Sequence, residues 1–227
     1  ALELEYTFES NRIEGNSLTL RETELVINEG LTVSGKSMRE HLEAINHAEA
    51  ISYLGEIIQN KTAFSERILK EIHYLILKGI DRENAGVYRS IGVRISGSAH
   101  LPPEPYLLNS LMEEVFVYYK ENKSILHPVI LAAEMHERIV RIHPFIDGNG
   151  RMGRLWQTLI LLQAYPLFAF LPFENLIYQS QASYYQALSD SDKSGNSTPF
   201  IEYMLTIILE TLNDKLDYKA RIMSTLE

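Results

Sequence analysis

The 227-residue chain contains no cysteine. That excludes disulfides, thiolate nucleophiles and cysteine-ligated zinc. Positive charge is scarce: 21 Lys and Arg stand against 30 Asp and Glu, a formal net charge of −9. A surface of that sign disfavours generic binding to nucleic acid or to anionic membranes, which calls for basic patches. Any phosphate chemistry must therefore use local positive charge inside an acidic molecule. No apolar run reaches membrane-spanning length, the longest, Leu155 to Phe173, being interrupted by Gln157, Thr158, Gln163 and two prolines. Internal repeats, low-complexity tracts and an N-terminal signal pattern are also missing, and the expectation is a soluble, cytoplasmic protein. The chain opens at Ala1 rather than Met, which leaves a trimmed terminus or a lost further domain open. A hydrophobic content of 45% is enough for the core of one large domain.

What the sequence does contain is helix punctuation. Leu2, Leu4, Tyr6 and Phe8 open an N-terminal helix that carries Ser10 and Glu14 on one face and ends at Gly15. Read alone, Glu14 is a solvated surface carboxylate. Thr19-Leu-Arg-Glu22 and Ser37-Met-Arg-Glu40 have capping-box spacing and start two helices. Gly30 ends the first, and the second carries Leu42, Ile45, Ile51, Leu54 and Ile58 at helical spacing. His41 and His47 on that helix have no partner four residues on, so no metal site is expected there. Ser65 caps a further helix burying Ile68, Leu69, Ile72, Leu75 and Ile76, with His73 read as a packed or surface residue.

Residues 81–105 break this pattern. Val87-Tyr-Arg and Val93-Arg-Ile alternate like short strands, Gly97-Ser-Ala is turn chemistry, and Pro102, Pro103 and Pro105 close the segment. A small β-hairpin is predicted, either a surface excursion or an edge that receives an extended peptide. Helices resume from about Pro105 to Asn122 and again from Pro128. A very apolar helix through Leu155, Leu159 and Leu162 ends at Tyr165-Pro166, and another covers 174–190 with Tyr184-Tyr185. Thr198-Pro199 is read as the cap and first-turn proline of a last helix reaching about Lys219. The predicted fold class is all-α, one domain with one hairpin.

Between two of these helices stands His143-Pro-Phe-Ile-Asp-Gly-Asn-Gly-Arg-Met-Gly-Arg154. Pro144 disfavours helix at His143, so the geometry is helix, tight loop, helix, with free amides and a positive dipole end facing the loop. His143 suits general-base work at neutral pH. Asp147 is a hard oxygen ligand for Mg²⁺, whose other ligands would be phosphate oxygens and water. Gly148, Asn149 and Gly150 let the backbone approach an anion, and Arg151 and Arg154 can clamp distal phosphates. There is no Lys-Ser/Thr after the glycines, so this is not a P-loop, and no His pair at i, i+4 as in zincins.

These twelve residues resemble, without a gap, the signature His-x-Phe-x-Asp-Gly-Asn-Gly-Arg-x-x-Arg of the Fic-domain family. The resemblance runs over most of the chain and implies a largely helical enzyme transferring AMP from ATP to a hydroxyl of a target protein. It implies His143 as the base, Asp147 on Mg²⁺, Gly148, Asn149 and Gly150 as an anion hole, and Arg151 and Arg154 on the β- and γ-phosphates. The hairpin at Val93 to Pro103 is similar to the family's target-aligning flap, with Ile95, Ser96, Gly97 and Ser98 nearest the site. Tyr184-Tyr185 resembles its adenine-bordering aromatic pair. Ser10-x-x-x-Glu14-Gly15 fits the family's inhibitory pattern, in which the glutamate pairs with the second arginine, here Arg154. The implied division is an inhibitory segment over 1–30 and a core over 65–222, with Ser, Thr or Tyr of a target as acceptor, and with self-modification and a homodimer left open. Gly150 favours AMP transfer over the kinase-like variant with Lys there. Two alternatives stay open: removal of AMP with Glu14 positioning a water, and a non-catalytic helical nucleotide-binding module.

Overall fold

The computed structural model describes residues 2–171 and 173–225. Ala1, Pro172, Leu226 and Glu227 fall outside the described residues, and with them the second proline of the apolar run and the two ends of the expected 1–227 domain. Both capping boxes form. α1 (Leu2–Ile13) leads through a turn at Glu14-Gly15 to α2 (Leu20–Glu29) and α3 (Met38–Gln59). Thr19 Oγ1 accepts the Glu22 amide and Ser37 Oγ the Glu40 amide, each at 3.2 Å, while each glutamate carboxylate returns the bond. Gly30 closes α2 in the left-handed conformation. Ser65 caps α4 (Glu66–Leu77), and α5 (Leu108–Asn122) follows a 3₁₀ turn at Pro105–Leu107. Pro128 starts α6 (Pro128–Ile142), which the 143–148 loop joins to α7 (Asn149–Ala164). A 3₁₀ stretch at Pro166–Phe170, α8 (Glu174–Gln179), α9 (Gln181–Ser194) and α10 (Thr198–Thr225) complete the chain.

α6 and α7 pack on each other as the central pair. α7 is buried on nearly every side from Asn149 to Leu161, as its apolar composition requires. Trp156 lies at its middle, stacked at 4.5 Å on Phe64 and 5.4 Å on Phe116. A satellite cluster of Leu18, Val26 and Ala44 fastens α2 to α3. α1 lies across α3 and α8, so a segment distant in sequence roofs the start of α7. Among the described residues no helix is long and apolar enough to cross a membrane.

Three expectations are corrected. Among the described residues there is no strand, so the predicted hairpin is absent. The Gly97 turn forms (φ 74°, with Ser98 N–H donating to Ile95 O), but no ladder flanks it. Pro102 and Pro103 lack amide donors. The segment is held by side chains instead: Arg89 donates to Ile91 O and Pro103 O, and His100 to Arg141 O. The expected 174–190 helix is two, broken at Ser180, whose hydroxyl donates back to Leu176 O at 2.7 Å. Thr198 is the first helical residue of α10 rather than its cap; Ser197 precedes it, and Asn196 Oδ1 accepts the Thr198 amide at 3.0 Å.

Candidate active site

The site is assembled where α6 ends and α7 begins. His143 terminates α6 with a left-handed backbone (φ 52°, ψ 57°), a costly conformation for a residue other than glycine. A buried arginine that sequence reasoning missed keeps it there. Arg89, 3% exposed, donates from Nε to His143 O at 2.8 Å, and its own amide donates to Pro144 O at 2.9 Å. His143 Nδ1 faces Val140 O at 3.2 Å; a carbonyl only accepts, so Nδ1 carries the proton and Nε2 is the free basic nitrogen. Burial lowers the imidazole pKa, helped by Arg89 and His100, against opposing effects of the Val140 carbonyl and Glu14. His143 is therefore neutral at pH 7, as a base must be.

The loop is closed from within. Asn149 accepts the Phe145 amide at 3.0 Å through Oδ1 and donates to Phe145 O at 2.9 Å through Nδ2. Its side chain thus shapes the loop. Phe145 stacks on His73 at 3.6 Å; His73 in turn donates from Nε2 to Asp147 O at 2.9 Å and accepts the Gly86 amide through Nδ1. His73 is thus a packed buttress, and its role depends on a fold no local pattern displays. Gly148, with φ 79°, supplies the left-handed turn that aims the first amides of α7 into the site.

Arg151 and Arg154 are both buried, 2% and 1% exposed. Arg151 is loosely held: it stands 3.5 Å from Asp147 Oδ1 and 3.7 Å from Glu43 Oε1, and its Nε and one terminal nitrogen have no hydrogen-bond partner among the described residues. A buried guanidinium so under-supplied is suited to an incoming anion. Arg154 meets α1. Its Nε donates to Ser10 Oγ at 2.9 Å, and one terminal nitrogen to Ser10 O at 3.0 Å and to Glu14 Oε1 at 2.6 Å, while the other has no partner among the described residues. The Glu14 carboxylate lies against Gly150, where a Cβ would come within 2.5 Å of Oε1. The residues expected to pair thus do pair, over the amides expected to bind phosphate. Gly15 (φ 91°) turns the chain immediately afterwards.

Asp147 is engaged on both oxygens. Oδ1 accepts the Gly148 amide at 2.6 Å and faces Arg151, and Oδ2 accepts from Arg39 of α3. Burial works to raise its pKa, but Arg151, the Gly148 amide and Arg39 together hold it below the usual value, so it is ionised. One ionised, 40% exposed carboxylate fits Mg²⁺, which takes few protein ligands beside phosphates and water. The under-supplied arginines fit the phosphates. Ile95, Ser96, Gly97 and Ser98 line a cleft of about 420 Å³ with Val140 and Arg141 of α6, Tyr185 and Asp192. Tyr185 is 51% exposed and faces it, whereas Tyr184 is 2% exposed, its hydroxyl at 2.9 Å from His136 Nε2. Of the expected aromatic pair only Tyr185 borders the cleft.

Residues 63–161 match the Fic/DOC family, a span that includes His143, the loop and both arginines. The chain carries a Fic domain. Over 211 residues it is 34% identical to a protein adenylyltransferase Fic of Nematostella vectensis, 92% of this chain and 48% of that protein. With the Drosophila melanogaster protein adenylyltransferase Fic the identity is 32% over 211 residues, covering 92% and 41%. The chain thus spans about half, or less, of the length of these curated relatives. Among solved structures, a Fic family protein from Desulfovibrio desulfuricans G20 superposes with a TM-score of 0.83 at 34% identity, covering 96% of this chain and 65% of that one. Fic-1 (residues 134–508) of C. elegans gives 0.81 at 26% identity, covering 98% and 64%.

Proposed function

We propose that this Fic domain transfers AMP from ATP to a hydroxyl side chain of a target protein and that Glu14 holds it off in the form described here. The observation that carries the proposal is the 2.6 Å contact between Glu14 and Arg154, made over Gly150 at the mouth of the amide-and-arginine anion site. In this reading residues 1–30 are the inhibitory segment and 65–222 the catalytic core. His143 Nε2 takes the proton of a Ser, Thr or Tyr hydroxyl as that oxygen bonds to the α-phosphorus and the bond to pyrophosphate breaks, a contribution of about 10²–10⁴-fold. The backbone amides of Gly148, Asn149 and Gly150, with Arg151 and Arg154, neutralise and orient the phosphates, and such positioning is the larger effect. Asp147 would hold Mg²⁺, which supplies further neutralisation of phosphate charge when bound. Ile95 to Ser98 would align the acceptor segment, and Tyr185 would border the adenine. The acceptor can also be the domain itself, and a homodimer is compatible with it.

The inhibition has a simple physical basis. Arg154 offers a bidentate site, and a carboxylate already on it competes with a terminal phosphate. Incubation of Glu14→Gly with ATP and Mg²⁺, with and without cell lysate, followed by intact-mass analysis, is expected to show a gain of one AMP on the domain or a lysate protein. The unsubstituted chain is expected to show far less, and no gain with either sink the proposal. His143→Ala in the Glu14→Gly background is expected to abolish transfer and keep ATP binding. A second reading, hydrolytic removal of AMP, has one observation in its favour: the charge of Glu14 is felt at His143, where it opposes the lowering of the imidazole pKa by burial. AMP release from a modified target by the unsubstituted chain, lost in Glu14→Gly, is its signature.

A further inference from the structure

Arg39 has no role in the chemistry so far, yet it bonds directly to Asp147. It sits in the first turn of α3, 108 residues away in sequence, and donates from one terminal nitrogen to Asp147 Oδ2. Its Nε donates to Glu43 Oε1 at 3.0 Å, so one guanidinium spans two carboxylates. Glu43 is fixed in turn: Oε2 accepts from Asn16 Nδ2 at 3.0 Å, and Oε1 lies 3.7 Å from Arg151. Asn16 is two residues beyond Glu14 and also donates to Glu40 O at 3.0 Å. The turn that delivers Glu14 and the arginine on Asp147 therefore share one polar network. Oδ1 of Asp147 is directed inward to the Gly148 amide and Arg151, which leaves Oδ2 as the oxygen a cation from solvent would reach. Arg39 occupies that oxygen.

We propose that Arg39 is a built-in cation at the metal position, which a divalent ion must displace from Asp147 before nucleotide is held productively. The inference rests on the reading of Asp147 as the metal-holding carboxylate. A divalent ion needs a carboxylate oxygen at about 2.0–2.1 Å, with its lone pairs free, and two cations cannot share that place. The pair is accessible, Arg39 being 55% and Asp147 40% exposed, so the hindrance is modest and screened by salt. Arg39 thus sets how much metal the site requires, while Glu14 sets where the terminal phosphate can lie.

The test measures binding rather than turnover. Isothermal titration gives the affinity of Glu14→Gly for ADP with EDTA and with a fixed Mn²⁺ concentration below saturation; the same is done with Arg39→Gln, Asp147→Asn and, as a charge control, Arg67→Gln, each added to Glu14→Gly. Arg67 is an exposed arginine of α4. Arg39→Gln is expected to leave ADP affinity in EDTA unchanged and to tighten it about three-fold with Mn²⁺, the size expected for an accessible ion pair, with the gain shrinking in high salt. Asp147→Asn is expected to erase the effect of Mn²⁺. An Arg39→Gln variant with unchanged or weaker Mn²⁺·ADP binding overturns the inference. So does weaker ADP binding in EDTA, which marks Arg39 as a phosphate ligand, or an equal gain from Arg67→Gln. If Asp147→Asn keeps the whole effect of Mn²⁺, the metal reading of Asp147 falls too; if it loses the effect while Arg39→Gln changes nothing, only the role of Arg39 falls.

Discussion

Arg89 donates to three carbonyls, those of His143, Ile91 and Pro103, from a position 3% exposed to solvent. It ties the strained end of α6 to the 91–103 segment, so it fixes both the base and the wall of the cleft. Lysine keeps the charge but not the fork. Arg89→Lys is expected to cost about 1–3 kcal/mol in stability through buried carbonyls left unpaired. In the Glu14→Gly background it is also expected to lower transfer by about 10²-fold with ADP affinity kept, since a base moved by an ångström loses that much. Equal losses in ADP affinity and transfer would show that Arg89 supports the whole site rather than the base. His143 itself makes a pH prediction. Burial lowers its pKa from 6.5, so the proton-accepting form persists to lower pH. Transfer by Glu14→Gly is expected to be flat upward from pH 7 and to fall on the acid side only below about 6.5. A decline beginning above pH 7 would contradict it.

At the scale of elements, α1 is the part that the proposed inhibition would move, and it is docked by a few largely buried bonds. Tyr6 OH donates to Leu171 O at 2.6 Å, Asn11 Nδ2 to Glu43 O at 3.1 Å, and Gln181 Nε2 to Ile13 O at 2.8 Å. Tyr6→Phe leaves the carbonyl without its donor and is expected to weaken docking by about 1 kcal/mol. Glu14 should then leave Arg154 more often, raising basal transfer about five-fold, with faster amide exchange confined to α1. Unchanged exchange in α1 would separate Tyr6 from the regulation. The capping boxes of α2 and α3 were legible because hydroxyl, glutamate and helix start lie within four residues. The missing hairpin was not, because alternation at 87–95 describes what each residue favours, not whether a second strand with amide donors is present. The break at Ser180 escaped notice because one hydroxyl bonding back to Leu176 decides it.

For the whole molecule, three buried histidines dominate the response to acid. Burial pushes His47 and His136 to about 3 and His73 to about 4. Below their unfolded value near 6.5 the unfolded chain binds protons that the folded one refuses, so stability falls as pH drops from about 6.5 toward 4, by at most about 4 kcal/mol per pH unit for the three. Glu174 opposes this. Burial raises it to about 8, so between roughly 4.5 and 8 the folded state holds a proton the unfolded chain has lost, and stability falls as pH rises, by at most about 1.4 kcal/mol per unit. Urea midpoints are expected to fall steeply from pH 6.5 to 5, and more steeply in Glu174→Gln. A flat profile would show these histidines accessible to protons.

The sequence by itself determined most of the helices, the loop between α6 and α7 and the chemistry available there, because helix caps, proline and glycine act through neighbours a few residues away. It also supplied Glu14 and Arg154 as a carboxylate and a guanidinium that could pair. Only the tertiary structure decided that they do, at 2.6 Å and over Gly150. The same holds for the partners of Asp147, His73 and Arg89, and for Tyr184 being buried while Tyr185 faces the cleft. The physical reason is common to all of them. A charge or donor placed along a chain fixes what it can bind, but which acceptor reaches it depends on helices packing from 50 to 140 residues away, and that packing is set by the core as a whole.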